Sequence, residues 1–164
     1  MYQVGDTIQY SSTGICKIDA IEEKVLGKIK KSYYVLKPIS HSNSTVYVPV
    51  DNEALTSKMR RILNKDEILE IIHSSSESPD IWIENDTERR EKFTDIIHSG
   101  NRKDLLILIR SLYLHKEHQQ SNGRKFHIAD ERVFKEAERI LYDELSYTLE
   151  IPADEVVKFI QENI

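Results

Sequence analysis

From Met1 to Asp51 polar and apolar residues alternate in short runs broken by turn residues, the period of strands that bury one face. Thr7-Ile8-Gln9-Tyr10 predicts a first strand behind Val4-Gly5-Asp6. Ser11-Ser12-Thr13-Gly14 reads as a turn, with Gly14 free to adopt a positive φ. Ile15 to Glu22 predicts a second strand, with Ile15, Ile18, Ala20 and Ile21 as candidate core. Gly27 marks the next turn, and Tyr33-Tyr34-Val35-Leu36 and Thr45 to Val50 predict two more strands. Four or five short strands are too few for a sandwich and suit a small, strongly bent SH3- or Tudor-like barrel.

The alternation stops between Asn52 and Ser57, and helical spacing takes over. Asp66 to Ile72 predicts a short helix, acidic at its start as the helix dipole favours. Ser74 to Pro79 reads as a linker, because a proline does not continue a helix. Glu88 to His98 predicts a helix capped by Asn85, Asp86 or Thr87 and closed by Gly100, with Phe93, Ile96 and Ile97 on one face. Asn101 caps the next, where Leu105, Leu108, Ile109 and Leu112 make a buried stripe that ends at Ser121-Asn122-Gly123. A long helix over Ile128–Leu149 places Phe134, Ala137, Leu141, Leu145 and Thr148 in register. Pro152 opens a last helix whose Val156, Val157 and Ile160 pack back. The expected fold class is α+β: a β barrel over residues 1–54, then an all-α bundle over 55–164.

With 39% hydrophobic and 31% charged residues the chain reads as a soluble globular protein. No apolar run approaches the roughly 20 residues of a membrane span, and Met1-Tyr2-Gln3 begins no signal peptide. Cys16 is the only cysteine, so neither an internal disulfide nor a cysteine zinc cluster is possible. A reducing cytoplasm is the expected location. Cys16 lies on a strand pattern and reads as a packing residue, the alternative being a reactive thiol.

Chemistry-bearing motifs are sparse. His115 and His118 stand three apart on a helix, but no third ligand has a metal-site spacing. There is no Gly-x-Ser-x-Gly elbow and no glycine-rich phosphate loop. The chain therefore reads as a non-enzyme without metal or cofactor. Its net charge of −5 is unevenly spread. Residues 87–125 hold 9 basic and 5 acidic residues, whereas residues 126–164 hold 4 and 10. That basic island is either a phosphate-contacting face or a solvated surface laced with salt bridges.

The order Val-Gly-Asp-x-x-x-Tyr, a later Gly-x-x-x-Ile-x-x-Ile-Glu, then Gly, Tyr-Tyr-Val-Leu and Val-x-Val-Pro resembles the N-terminal module of the CarD family. These are bacterial transcription regulators that bind RNA polymerase, and transcription-repair coupling factors share the module. The likeness extends to about Leu149 through Trp82, Arg89-Arg90, Ser99-Gly100 and the Ala-x-x-x-Leu-x-x-Glu-Leu pattern of Ala137 to Leu145. It implies docking on the polymerase β subunit through an exposed sheet edge with one or two basic residues. Lys24 and Tyr47 stand at those positions, where the family often has Arg. Lys24 keeps the charge without the planar fork, and Tyr47 replaces charge by an aromatic anchor. The plain alternative is a turn cation and an outward strand residue.

The resemblance also implies a tryptophan wedged at the upstream fork of promoter DNA, resisting reannealing. Counted back from Ser99-Gly100, that position falls on Asp86, with Trp82 about one helical turn earlier. Trp82 is thus either a displaced wedge or core. Where the family has basic residues, Glu91, Glu131 and Glu136 stand here. Arg89, Arg90, Lys92, Arg124 and Lys125, with Trp82, form the candidate DNA-binding set. The expectation is a monomeric, cytoplasmic regulator acting at promoter open complexes. Its alternative is an adaptor whose helical domain binds protein and never DNA.

Overall fold

The computed structural model describes residues 1–40 and 43–164, which form two compact units, Met1–Ile62 and Leu63–Ile164. The first is an antiparallel sheet of β1 (Thr7–Tyr10), β2 (Gly14–Leu26), β3 (Ile29–Pro38), β4 (Val46–Pro49) and β5 (Met59–Arg61). The strand order is β4-β3-β2-β1-β5, so the hydrogen-bonded ladder has two edges. The expected barrel is therefore not closed. Both edges are short strands of four and three residues, each paired on one side only.

A one-turn helix, α1 (Glu53–Thr56), capped by the Asn52 side chain, turns the chain back so that β5 can pair with β1. Neither α1 nor β5 shows in the sequence pattern, because runs of three or four residues carry too little periodicity. Ile8, Tyr10, Cys16, Ile18, Tyr34, Leu36, Val48 and Met59 form the core. The Tyr2 hydroxyl donates to the Met59 carbonyl at 2.8 Å. Gly14 takes a φ of 93° at the expected turn. Cys16 is fully buried, and burial pushes its thiol up to about 11.

Two departures share one cause. β2 and β3 run well beyond Glu22 and Tyr33, where the alternation ends, and form a long hairpin turned at Gly27. β1 stops opposite Lys17, so the outer part of β2 has no neighbour on that side. Ile21, expected in the core, is accordingly exposed.

The second unit holds α2 (Lys65–Ser76), α3 (Asp86–Ser99), α4 (Arg102–Ser121), α5 (Ile128–Leu149) and α6 (Val156–Glu162). Each early helix starts at an asparagine. Asn64 forms a capping box with Glu67, Asn85 accepts from Thr87 and Glu88, and Asn101 accepts from Asp104. Gly100, at φ 62°, closes α3 in the left-handed conformation. α2 continues to Ser76, inside the expected linker. α4 is the central helix, packed against α2, α3 and α5, so Leu106 and Ile107 are buried beside the expected stripe. On α6, Val156 and Ile160 are buried while Val157 is exposed. Val156 and Ile160 stand four apart on one face of the helix, and Val157 is turned about 100° from Val156.

A charged group with no exposure lies in this core. Glu144 of α5 is fully buried and accepts from the Leu63 amide at 3.0 Å and from Arg102 Nε and Nη2, each at 3.0 Å. The Thr148 hydroxyl donates to the Leu63 carbonyl at 2.8 Å. Removing one partner of a buried ion pair leaves the other charge uncompensated. Glu144→Ala should therefore cost about 3–5 kcal/mol in urea denaturation. Loss of less than about 1 kcal/mol would show that Arg102 finds water instead.

Candidate functional site

On the sheet, the pairings Lys24↔Lys31, Glu22↔Tyr33 and Val35↔Tyr47 put Lys24, Tyr33 and Tyr47 on one face. The Lys24 ammonium lies 3.5 Å from the Tyr47 ring centroid, and Tyr33 meets that ring edge-on at 6.5 Å. Tyr47 is nevertheless 44% exposed. Cation and ring thus present one preformed, partly open surface that reaches from β2 across β3 to edge strand β4. It continues along the hairpin to Leu26 and Ile29, paired and exposed on the same face. Lys28 at the turn and Val25 are exposed as well. The sequence reading missed this arm, although Val25, Leu26 and Ile29 flanking Gly27 were its signal.

The helical unit handles its candidate residues differently. Arg89 is only 5% exposed. Its Nε and Nη2 donate to Asp130 at 3.1 and 3.2 Å, Nη2 also to Asp86 at 2.8 Å, and Nη1 to the Ile83 carbonyl at 2.8 Å. Burial works against the Arg89 charge, but the bonds to Asp130 and Asp86 outweigh it and raise its pKa. The same Arg89 bond holds the Asp86 carboxyl below its usual range. Arg89 therefore fastens the segment before α3 to α5 rather than facing solvent.

Trp82 lies in that segment, half-buried against the core. Its ring stacks on His115 at 3.4 Å with 15° between planes, meets Phe93 at 6.2 Å, and has the Arg89 guanidinium 4.6 Å from its centroid. Its indole N–H is buried without a hydrogen-bond partner among the described residues. The main burden on His115 is desolvation, which lowers its pKa.

Arg90, Lys92, Arg124 and Lys125 are exposed. Arg90 lines a small recess with Asp86, His127 and Asp130. Arg124 and Lys125 line a separate hollow of about 630 Å³ with Phe126, Arg132 and Lys135. Sequence reasoning missed Arg132 and Lys135, which stand one turn apart on α5 beside an exposed Ile128. Four cations of the basic segment 87–125 pair outside it: Arg89 with Asp130, Arg102 with Glu144, Arg110 with Asp80 and Lys116 with Glu131. Much of the island is therefore internal pairing. Among the described residues no three His, Cys, Asp or Glu side chains group to hold a metal ion, and no helix is long and apolar enough to cross a membrane.

Residues 2–63 match the CarD-like/TRCF RID domain family. The whole chain is similar to the candidate transcription factor YdeB of Bacillus subtilis (strain 168), 27% identical over 159 residues, covering 97% of this chain and 99% of the relative.

Two outcomes check the Trp82 cluster. Trp82→Ala should cost about 3 kcal/mol by urea denaturation, because it empties half a buried ring site; an unchanged midpoint would mean that the ring carries no packing. His115 in the folded chain releases its proton below the unfolded value of 6.5. The unfolded chain then binds more protons, so stability should fall as pH drops through 6.5 and level off below the folded value. His115→Phe should flatten that part of the pH profile of the midpoint.

Proposed function

We propose that this chain, whose residues 2–63 belong to the CarD-like/TRCF RID domain family, is a non-enzymatic transcription regulator that docks on the RNA polymerase β subunit through its sheet unit. The carrying observation is the Lys24–Tyr47 pair, a half-buried cation on β2 already in contact with an exposed ring on edge strand β4. Such an anchor loses little side-chain entropy on docking, because Tyr33 and Lys24 hold the Tyr47 ring beforehand. The aliphatic hairpin arm extends the same face with desolvatable area.

Docking tethers the helical unit near promoter DNA and raises its effective concentration there. In this reading Arg124, Lys125, Arg90 and Lys92 make phosphate contacts at the upstream fork. Trp82 and Arg89 act behind them, as the scaffold that fixes the start of α3. Binding the open complex better than the closed one by about 1.4 kcal/mol shifts that equilibrium tenfold. The second reading, a protein adaptor, draws on the internal use of Arg89 and on the acidic residues 126–164.

The test measures binding of the full chain to an immobilised β-subunit fragment. Lys24→Glu combined with Tyr47→Ala should weaken it at least tenfold, about 1.4 kcal/mol. Unchanged binding would defeat the docking surface. In a parallel arm, Arg124→Glu with Lys125→Glu should flatten the salt dependence of binding to fork-junction DNA while leaving the β contact intact. No salt-dependent DNA binding at all would favour the adaptor.

A further inference from the structure

α6 packs on α5 through Val156 and Ile160 and leaves a groove open toward α4. Leu106, Ile109, Phe134 and Ile160 line it, and its volume is about 490 Å³, the size of a ligand or peptide site. Tyr113, Val157 and Ile164 stand at its mouth, 49%, 42% and 67% exposed. A small molecule filling the interior would leave those side chains in water. A helix laid along the groove would cover them.

The charges along the groove select the occupant. Arg110 is held by Asp80 and the Ser78 carbonyl and Lys116 by Glu131, while Glu117 acts on Tyr113 and raises its pKa. Glu138 makes no ion pair or hydrogen bond among the described residues, although it is half-buried. It stands midway between Phe134 and Tyr142, each one turn away on α5, so it faces the same channel. Burial, with the Glu131 charge, raises the Glu138 pKa against the weaker opposing pull of Lys116 and Lys135, neither of which pairs with it directly. Of the acidic residues that α5 and α6 supply, Glu138 is the one that lines the groove.

We propose that the α4–α6 groove docks a basic amphipathic helix of a partner protein, its apolar side chains covering Tyr113, Val157 and Ile164 and a Lys or Arg pairing with Glu138. This goes beyond docking by the sheet unit and uses none of its residues.

The experiment titrates the full-length chain into a fluorescein-labelled Leu/Lys amphipathic peptide and its Leu/Glu counterpart, followed by anisotropy at constant ionic strength. The Leu/Lys peptide should bind and the Leu/Glu peptide should not. Glu138→Lys and Val157→Asp should each weaken binding at least tenfold. Glu91→Lys, which changes net charge equally on exposed α3, should leave it within twofold. Circular dichroism checks that each variant folds, with Glu138→Gln as the milder replacement, expected to weaken binding severalfold. Equal losses in Glu91→Lys and Glu138→Lys would reduce the effect to general charge attraction and overturn the proposal. So would unchanged binding in Glu138→Lys, or octylammonium binding at the groove as tightly as the peptide.

Discussion

The helical unit depends on a fully buried carboxylate. Glu144 sits fully buried, where an uncompensated charge would cost several kcal/mol. Its stability there requires Arg102 of α4 to lie flat against it and the amide of Leu63 to point at it. Thr148, one turn further along α5, takes the Leu63 carbonyl. The segment entering the unit is thereby fixed to α5 by both of its backbone polar groups, and α4 is fixed to α5 by two charge-assisted bonds. Replacing the pair by apolar residues of equal volume could preserve stability, but it would lose the directionality that sets how α4 and α5 lie.

The same device recurs wherever a loop must be held. Arg89 gathers Asp86, Asp130 and the carbonyls of Ile83 and Glu84. Arg110 reaches Asp80 and the carbonyls of Ser75 and Ser78. Ser111 accepts from the Ile81 amide at 2.8 Å and donates to Ile107. Loop backbone groups near a core need partners, and a guanidinium supplies several from one planar head. This explains the charge segregation along the chain. Four cations of the basic middle pair with carboxylates of its acidic flanks, and Arg124, Lys125 and Arg132 are left facing solvent.

The sheet unit solves the opposite problem, that of leaving apolar and cationic groups outside. Its core needs only the inner parts of β2 and β3, yet both strands continue into an arm that carries Val25, Leu26 and Ile29 into solvent. Isolated two-stranded ribbons are marginal in water. Salt bridges from Lys30 to Glu23 and from Lys31 to Asp51 support this one.

The one-dimensional pattern determined which segments form strands and helices, where asparagine and glycine start and stop them, and most of the core. Phe93, Leu108, Leu141 and Leu145 follow from helical spacing because burial demands that period. The pairing of Lys24 with Tyr47 was legible only as two separate positions; cross-strand register made them one surface. Only the tertiary structure decided that Arg89 faces inward, that Trp82 stacks on His115, and that β5 closes onto β1 while the ladder stays open at β4. An arginine on a helix reads the same in sequence whether its partner is water or an aspartate forty-one residues away. Local periodicity records which side of an element is apolar. Which charged groups meet is set by how the helices cross, and that is a property of packing.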